Sequence, residues 1–141
     1  MKVYTDGCCN NNGSGWAVVC PELMSIIRGD IPGATNQQAE LSAIVQAVHW
    51  LGPNIEIFTD STYVIGCYTK WYQRWLTNGW VNSRGRPVEN QQLISVGLSK
   101  NAHTARYTHV KGHSGDVYND MADYYTKHLQ LSPNHPGWNL M

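Results

Sequence analysis

Four acidic residues, distributed over the whole chain, stand where the core of a folded domain would favour apolar side chains. They are Asp6, Glu40, Asp60 and Asp123. Asp6 ends a mainly apolar run at 3–5 and Asp60 ends a second one at 55–59, so we expect both carboxylates at the carboxyl ends of β-strands. In open α/β sheets, that edge is where binding sites are built.

Glu40 falls within a helical pattern of apolar residues, on a flank that faces the body of the protein. Carboxylates brought together raise one another's pKa, and a hard divalent cation such as Mg2+ compensates their charge through oxygen ligands. Taken singly, Asp6 and Asp60 are well explained as turn residues after strands. Together with Glu40, they predict a metal-binding cluster instead.

Asp123 is the member of this set with the strongest alternative. It shares a helical stripe with Lys127, and such a pair is also suited to a solvated i, i+4 ion pair. Asp116 and Asp120 lie on nearby turns of the same predicted helix. Residue types and spacing therefore do not select Asp123 over these two neighbours.

Composition is typical of a folded single-domain protein. The chain has 141 residues, 42% of them hydrophobic and 14% charged, which suits one compact domain with a sizeable core. It has no apolar stretch long enough to span a bilayer and no basic and apolar leader, so we expect a cytoplasmic protein without a membrane partner. Ten basic residues balance ten acidic ones, so any affinity for nucleic acid must come from local patches.

Turn and capping signals divide the chain into the elements of an α/β fold. We predict strands at 2–9, 16–20, 23–28, 55–59 and 103–109, and helices at 35–51, 61–68, 70–80, 89–99 and 117–129. The first helix begins with a capping box formed by Thr35 and Gln38, and Gly52 and Pro53 end it. The tail at 132–141 has two prolines and a glycine and is predicted to be irregular.

Short motifs occur along the chain in a defined order. They are T-D-G at 5–7, N-Q-Q-A-E-L at 36–41, T-D-S at 59–61, and K-G-H-S-G at 111–115 followed by N-D-M-A-D at 119–123. Any one of them is a weak signal, but the ordered set resembles type 1 ribonuclease H over about residues 1–130. The resemblance implies an α/β, RNase H-like fold, in which a five-stranded mixed sheet of three antiparallel strands and then two parallel ones is flanked by helices.

The resemblance also implies an activity, which is endonucleolytic hydrolysis of the RNA strand of RNA–DNA hybrids to 5′-phosphate and 3′-hydroxyl ends. It assigns metal binding to Asp6, Glu40, Asp60 and Asp123, and the match of N-D-M-A-D to the family motif is what selects Asp123. His113 corresponds to the loop histidine beside the carboxylates. A histidine can relay a proton or assist product release because its pKa lies close to neutrality.

The expected chemistry indicates which cofactor the cluster binds. Two metal ions roughly 3.5–4 Å apart can activate a water and stabilise the leaving oxygen of an in-line displacement, and three or four carboxylates are about what two such ions require. No set of cysteines and histidines has the spacing of a zinc site. We therefore expect two Mg2+ ions with substrate bound, for which Mn2+ can substitute.

Short amide side chains near the carboxylates are candidates for reading the hybrid. Asn12, Asn36 and Gln37 lie there in the motif alignment, and amides can hydrogen-bond 2′-hydroxyls and minor-groove base edges. Asn12 suits a turn equally well, and Asn36 and Gln37 suit the first turn of a helix. The family match favours the substrate-binding interpretation of all three.

A basic segment at about 70–87 combines positive charges with tryptophans and contains no acid. Its basic residues, predicted to contact phosphates of the DNA strand, are Lys70, Arg74, Arg84 and Arg86. Trp71 and Trp75 are spaced i, i+4, as in a buried helix face, and are assigned mainly to packing. Thr35 matches a further phosphate contact of the family.

This segment resembles the basic protrusion of bacterial and mammalian ribonucleases H, which implies activity without a tethered partner, as a monomer. Arg74 stands where the family often has an asparagine, and Thr62 replaces a frequent glutamine. These departures concern affinity and cleavage-site preference rather than the chemistry. We place the catalytic domain at 1–130, protrusion included, and an irregular tail at 131–141.

Two other functions fit part of the pattern. A transposase- or integrase-like DNA strand transferase would explain three of the carboxylates, but not the K-G-H-S-G loop or the basic segment. A catalytically silent nucleic-acid-binding module would have no need of all four carboxylates. A nuclease acting on RNA–DNA hybrids accounts for all of these features.

Overall fold

The computed structural model of the protein describes residues 1–10, 13–112, 115–128 and 137–141. Its strands are β1 Lys2–Asn10, β2 Gly13–Cys20, β3 Ser25–Asp30, β4 Glu56–Thr59, β5 Arg106–His109 and β6 Asn139–Leu140. Its α-helices are α1 Asn36–Leu51, α2 Thr62–Gly66, α3 Tyr72–Asn78, α4 Gln91–Ser99 and α5 Val117–Tyr125. None of the helices in the described ranges combines the length and hydropathy needed to cross a bilayer.

The strands form one mixed sheet in the order β5-β4-β1-β2-β3-β6. β1, β2 and β3 make an antiparallel meander, and β4 and β5 extend the sheet in parallel from β1. The predicted RNase H-like arrangement of three antiparallel and two parallel strands is thus confirmed. The parallel pairing of β1 runs from Lys2 to Tyr4, whereas its antiparallel pairing with β2 continues to Asn10.

α1 begins and ends where its sequence predicts. The N–H of Gln38 donates to the Thr35 hydroxyl at 3.1 Å, and the N–H of Thr35 donates to the Gln38 side chain at 3.0 Å, which completes the capping box. Gly52, with a φ of 76°, ends the helix. The residues that α1 buries against β1 and β2 are mostly aliphatic: Ala39, Leu41, Ser42, Ala43, Ile44, Val45, Ala47 and Val48.

Successive residues of β1 serve two separate hydrophobic layers. Val3 belongs to the larger cluster, which contains the buried face of α1, and Tyr4 belongs to the second, which contains Tyr125 of α5. Side chains alternate between the two faces of a strand. Asp6 therefore lies on the same face as Tyr4, and Gly7 lies on the face covered by α1.

The helical segment before the basic loop is one continuous stretch, although the sequence predicts two helices. A π-helical turn, Cys67–Trp71, joins α2 to α3. It depends on Gly66, because a Cβ added there would lie 2.5 Å from the Trp71 ring. The turn places the rings of Trp71 and Trp75 6.0 Å apart, so these residues pack together as predicted.

The C-terminal tail is not wholly irregular, which corrects the prediction made for it. The strand β6 pairs in parallel with β3 at the edge of the sheet. The N–H groups of Asn139 and Met141 donate to the carbonyl oxygens of Met24 and Ile26 at 3.0 and 2.8 Å. Such a short strand is invisible to pattern analysis, which needs several alternating residues. The last helix, predicted to run to 129, ends at Tyr125, and residues 129–136 lie outside the described residues.

Candidate active site

Three of the four predicted carboxylates meet at one point. Oxygen atoms of Asp6, Glu40 and Asp60 all lie within 4.8 Å of one another. The sheet register explains two of them, because the parallel pairing of Tyr4 with Phe58, continued by two residues, places Asp6 beside Asp60. Asp60 follows β4 directly, as predicted, but Asp6 lies within β1 rather than at its end, because pairing with β2 extends that strand.

Gly7 brings the third carboxylate into the group. A Cβ added to Gly7 would lie 2.3 Å from the backbone of Ala39 and Glu40, so only glycine lets α1 approach β1 this closely. The Gly7 N–H also donates to Asp6 Oδ1 at 2.9 Å. The glycine of the T-D-G motif therefore sets the separation of Asp6 and Glu40, a role that its position next to an aspartate does not reveal.

The loop after β5 passes directly over Asp60. A Cβ added to Gly112 would lie 3.0 Å from Asp60 Oδ2, so the first glycine of the K-G-H-S-G motif permits this contact. His113 follows Gly112 in the chain but lies outside the described residues. Its assignment as the loop histidine stays a prediction from the motif.

The electrostatics of the cluster favour a bound cation. Burial, with the charge of Asp60 and more weakly that of Asp123, raises the pKa of Asp6 from 3.8 to about 7. Burial, with the charge and hydrogen bond of Asp6, raises the pKa of Glu40 from 4.5 to about 10. Ionising all of these groups together is costly because their charges repel in a poorly solvated site.

The donor set fits a hard divalent metal. All of the ligand atoms in the group are carboxylate oxygens, which Mg2+ and Mn2+ prefer, whereas zinc sites are built mainly around His nitrogen or Cys sulfur. Asp6 is 5% exposed, and Glu40 and Asp60 are half-buried. The group is therefore partly accessible from solvent.

Asp123 lies beside this group but is not one of the three. Its charge contributes to the raised pKa of Asp6, which places it near the cluster, on the α5 side of the sheet. Its Oδ1 accepts a hydrogen bond from Lys127 Nζ at 3.3 Å. The ion pair that the sequence offers as an alternative is therefore formed, and it does not exclude a second role for this carboxylate.

Two of the predicted substrate contacts have structural partners of their own. Asn36 Oδ1 accepts the N–H of Cys9 at 2.7 Å, which joins the start of α1 to the end of β1. The Thr35 hydroxyl caps α1. Gln37 is exposed on the first turn of α1, with Thr35 and Asn36 beside it, and Asn12 lies outside the described residues.

The basic segment forms a separate, exposed surface. Lys70, Arg74, Arg84 and Arg86 all project into solvent. The tip of the loop is ordered by the Asn82 side chain, whose Oδ1 accepts the N–H groups of Arg84 and Arg86 at 2.9 and 3.0 Å. Arg84 and Arg86 therefore lie on a loop whose backbone is fixed by Asn82, whereas Lys70 lies in the π-helical turn and Arg74 in α3.

A cleft of about 210 Å³ lies between the basic segment and the start of α1, and its lining includes Gln37, Tyr63 and Trp71. A hydrogen-bonded chain that sequence reasoning missed runs along this side. Gln38 Nε2 donates to Asn90 Oδ1 at 3.1 Å, and Asn90 Nδ2 donates to the Tyr63 hydroxyl at 3.1 Å. Its members are far apart in sequence, so no local pattern indicates it.

Comparisons with known proteins agree with this geometry. The RNase H family model matches residues 1–130. The Ribonuclease H of Neorickettsia sennetsu (strain ATCC VR-367 / Miyayama) is 37% identical over 130 residues, covering 86% of each chain. The Ribonuclease H of Ehrlichia ruminantium (strain Gardel) is 38% identical over 130 residues, covering 87% of this chain and 89% of the relative.

Solved structures show the same fold. LC9-RNase H1, described as a type 1 RNase H with the type 2 active-site motif, superimposes with a TM-score of 0.67 at 26% identity, over 87% of this chain and 68% of its own. The foamy viral protease-reverse transcriptase, solved in complex with RNA/DNA hybrid, gives a TM-score of 0.66 at 20% identity, over 89% of this chain and 19% of its own, and this match supports the fold alone. On these matches, the chain belongs to the ribonuclease H family.

Proposed function

We propose that this protein is a Mg2+-dependent endonuclease that hydrolyses the RNA strand of RNA–DNA hybrids. Its relatives are ribonucleases H, and enzymes of this family are metal-dependent phosphodiester hydrolases. The observation that carries the proposal is the convergence of Asp6, Glu40 and Asp60 within 4.8 Å on the RNase H fold. Neither a DNA strand transferase nor a silent binding module is favoured by any described contact.

The metal would be held by Asp6, Glu40 and Asp60, with Asp123 completing the site once substrate is bound. Two Mg2+ ions bound there would supply an activated water and stabilisation of the 3′-oxygen that leaves, which accounts for 5′-phosphate and 3′-hydroxyl products. The carboxylates supply the negative charge that localises the ions. His113, which follows Gly112 in the chain, moves protons to or from bulk solvent.

Recognition of the hybrid would use two surfaces. Asn12, Asn36 and Gln37 hydrogen-bond 2′-hydroxyls and base edges in the minor groove, which distinguishes RNA from DNA. Asn36 is held for this by its bond to the Cys9 N–H, and its amide nitrogen makes no hydrogen bond to any of the described residues.

The second surface binds the DNA strand. Its basic residues, all exposed, are Lys70, Arg74, Arg84 and Arg86. Thr35, at the start of α1, adds a further phosphate contact. Contacts of this kind position a duplex without reading its sequence, so the enzyme should accept hybrids of many sequences.

The remaining parts of the proposal concern the chain as a whole. We assign catalysis to a domain at 1–130, with 131–141 as an accessory tail, and we expect a monomer in the cytoplasm. The site residues come from β1, β4, α1 and α5. The two strands belong to one sheet and the two helices pack on it, which supports a single catalytic unit.

The test is cleavage of end-labelled substrates by the protein and its Asp60→Asn variant. We expect the protein with Mg2+ to cut only the RNA of an RNA–DNA hybrid, and we expect a chelator to abolish cutting. Asp60→Asn should lower kcat by about a thousandfold or more, since it removes a ligand that acts in the transition state, while hybrid binding persists. Glu22→Gln, an exposed carboxylate in the 3-10 turn after β2, is the matched control and should retain full activity.

Other outcomes would identify the rival functions. Binding of the hybrid without cutting, in either Mg2+ or Mn2+, would indicate a silent binding module. Cutting or joining of DNA duplex would indicate a strand transferase. Hybrid cleavage that survives chelation would contradict the metal-dependent mechanism itself.

A further inference from the structure

The carboxyl end of α5 is held by an arginine on β3, whose cross-strand partner Ala17 packs in the same cluster as Tyr125 of α5. Arg28 lies on β3, and its side chain is 6% exposed. Its Nε donates to the carbonyl oxygen of Tyr125 at 2.8 Å, and a terminal nitrogen donates to Asp30 Oδ1 at 2.7 Å. The guanidinium therefore bridges the last residue of α5 and an exposed carboxylate on its own strand.

This contact has a clear physical basis. The last carbonyl groups of a helix lack partners within the helix, and they carry the negative end of its dipole, which a cation stabilises. Arg28 meets both requirements for α5. Its charge is balanced by Asp30, whose own pKa is lowered by the hydrogen bond and charge of Arg28.

A second contact fixes the following residue. A Cβ added to Gly15 of β2 would lie 2.2 Å from the carbonyl oxygen of Thr126, so the chain after α5 runs directly against the sheet. The Thr126 hydroxyl in turn donates to the carbonyl oxygen of Asp123 at 2.6 Å. The end of α5 is thus fixed to β2 and β3 within three residues of Asp123.

The other three predicted metal-binding carboxylates lie on or next to β1, α1 and β4. Asp123 does not. It approaches the other carboxylates on a separate helix, so its distance from Asp6 depends on how α5 sits on the sheet. α5 has nine residues and ends at Tyr125. A helix of that length is rigid, so a displacement of its end also displaces Asp123, two positions earlier. The bond from Arg28 to the end of α5 acts two residues from Asp123. It can therefore control the distance between Asp123 and Asp6.

We propose that Arg28 is a positioning residue, which sets the place of Asp123 relative to the other carboxylates by anchoring the end of α5. The proposal rests on the proposed function. Among the described residues, the Arg28 side chain hydrogen-bonds to Tyr125 and Asp30 and to none of the residues assigned to the metal or the hybrid. Its effect should therefore fall on kcat and on the dependence of activity on Mg2+, with little change in the KM for hybrid.

The test compares three variants of the full chain. Arg28→Gln removes the charge, Arg28→Lys keeps the charge and one donor, and Asp30→Asn removes the exposed partner but leaves the bond to Tyr125. We expect Arg28→Gln to lower kcat about tenfold, because small misplacements of catalytic groups have effects of this size or larger. Arg28→Lys should recover part of that loss, and Asp30→Asn should stay within about twofold of the parent.

Two further readouts separate positioning from loss of fold. In Arg28→Gln, the Mg2+ concentration for half-maximal activity should rise, and the NMR shifts of backbone amides should change from Asp123 to Lys127 but not around Asp60. Activity is measured well below the Tm of each variant. If Arg28→Gln does not fold, the same comparison between Arg28→Lys and Asp30→Asn decides the question.

The proposal is overturned if the Arg28 variants that fold keep kcat and Mg2+ dependence within about twofold of the parent. It is also overturned if the whole loss disappears once temperature is matched to stability, since Arg28 would then only stabilise the fold. Failure of the unmodified protein to cleave hybrid would instead refute the proposed function, so the two failures are distinguishable.

Discussion

Gly7 determines how close two of the carboxylates come, because it is where α1 touches β1. We expect Gly7→Ala to lower the free energy of unfolding by about 1–3 kcal/mol, the usual result of overpacking. The added methyl group would meet the backbone at the Ala39–Glu40 peptide, 2.3 Å away. α1 must therefore shift and carry Glu40 with it, and kcat should fall about 10- to 100-fold.

Urea denaturation and hybrid cleavage measure the two effects of Gly7→Ala. Cys9→Ala is the control for stability, since Cys9 is exposed on the same face of β1 and keeps its backbone bond to Asn36. It should change the free energy of unfolding by no more than about 0.5 kcal/mol. A Gly7→Ala protein with unchanged stability and kcat would show that α1 is not held at the described distance.

The raised pKa values of the cluster make a prediction about pH. In the metal-free protein, the pKa of Asp6 is about 7 and that of Glu40 about 10, both above the values of 3.8 and 4.5 expected in the unfolded chain. The folded state therefore binds more protons, so the free energy of unfolding should fall as pH rises from about 4 through 7 and beyond. Mg2+, which binds the ionised cluster, should oppose this loss.

Thermal unfolding with a chelator and with Mg2+, from about pH 5 to about pH 8, checks this expectation. The stabilisation by Mg2+ should grow with pH. A variant carrying both Asp6→Asn and Glu40→Gln should lose most of the pH dependence and the response to Mg2+. Metal-free stability that rises over this range would mean that the carboxylates are not coupled as the structure indicates.

The residue types of the site were predictable from the chain, but their distances were not. The ordered motifs predict Asp6, Glu40, Asp60 and Asp123 as metal ligands, and the structure brings the first three together, whereas spacing alone left Asp123 equivalent to Asp116 and Asp120. The contacts of Gly7 and Arg28 join residues that are 33 and 97 positions from their partners in the chain. Only the packed fold brings such pairs together, so no local pattern indicates them.

At the scale of elements, local signals succeed where they are strong. The capping box and Gly52 define α1 because both act through neighbouring backbone groups. The boundary between α2 and α3 is less evident, since the π-helical turn depends on the fit of Trp71 against Gly66. The strand β6 has almost no local signal, and its existence depends on the exposed edge of β3.

The tail should stabilise the domain, since it adds both strand pairing and an aromatic contact. Trp138 stacks on Tyr118 of α5 with ring centroids 5.7 Å apart. We expect deletion of residues 137–141 to lower the free energy of unfolding on the order of 1–3 kcal/mol, from the lost stacking and cross-strand contacts. Urea denaturation at constant pH measures the change.

Two substitutions separate the contribution of the aromatic contact to stability from that of the strand pairing. Trp138→Ala removes the stacking alone. Met141→Ala is the control, because Met141 is 59% exposed and its N–H still reaches Ile26. Unchanged stability after the deletion would show that β6 adds nothing to the sheet.

At the scale of the molecule, acidic and basic side chains are concentrated in separate regions, and neither kind is in excess. The net charge is zero, with carboxylates gathered at the metal-binding group and exposed basic side chains on the segment around α3 and its following loop. A hybrid that lies across both regions would meet attraction along its DNA strand and a cation-dependent site at its RNA strand. Binding should therefore depend on few phosphate contacts.

This arrangement predicts the salt dependence of hybrid binding. Each phosphate contact contributes about 0.9 to the slope of log affinity against log salt concentration. Replacing Lys70 and Arg74 with glutamine should therefore lower that slope by about 2 if each side chain contacts a phosphate. Arg106→Gln is the matched control, since Arg106 is exposed at the start of β5, the opposite end of the strand from the carboxylates.

Binding is measured with the Asp60→Asn variant as the common background, so that the hybrid stays intact at every salt concentration. A slope that falls in the Lys70 and Arg74 variant but not in Arg106→Gln would place the DNA strand on the basic segment. An equal slope in all three proteins would mean that the hybrid lies elsewhere. The position of the duplex would then be set by the amides of α1, and neutralising the basic segment would leave cleavage unchanged.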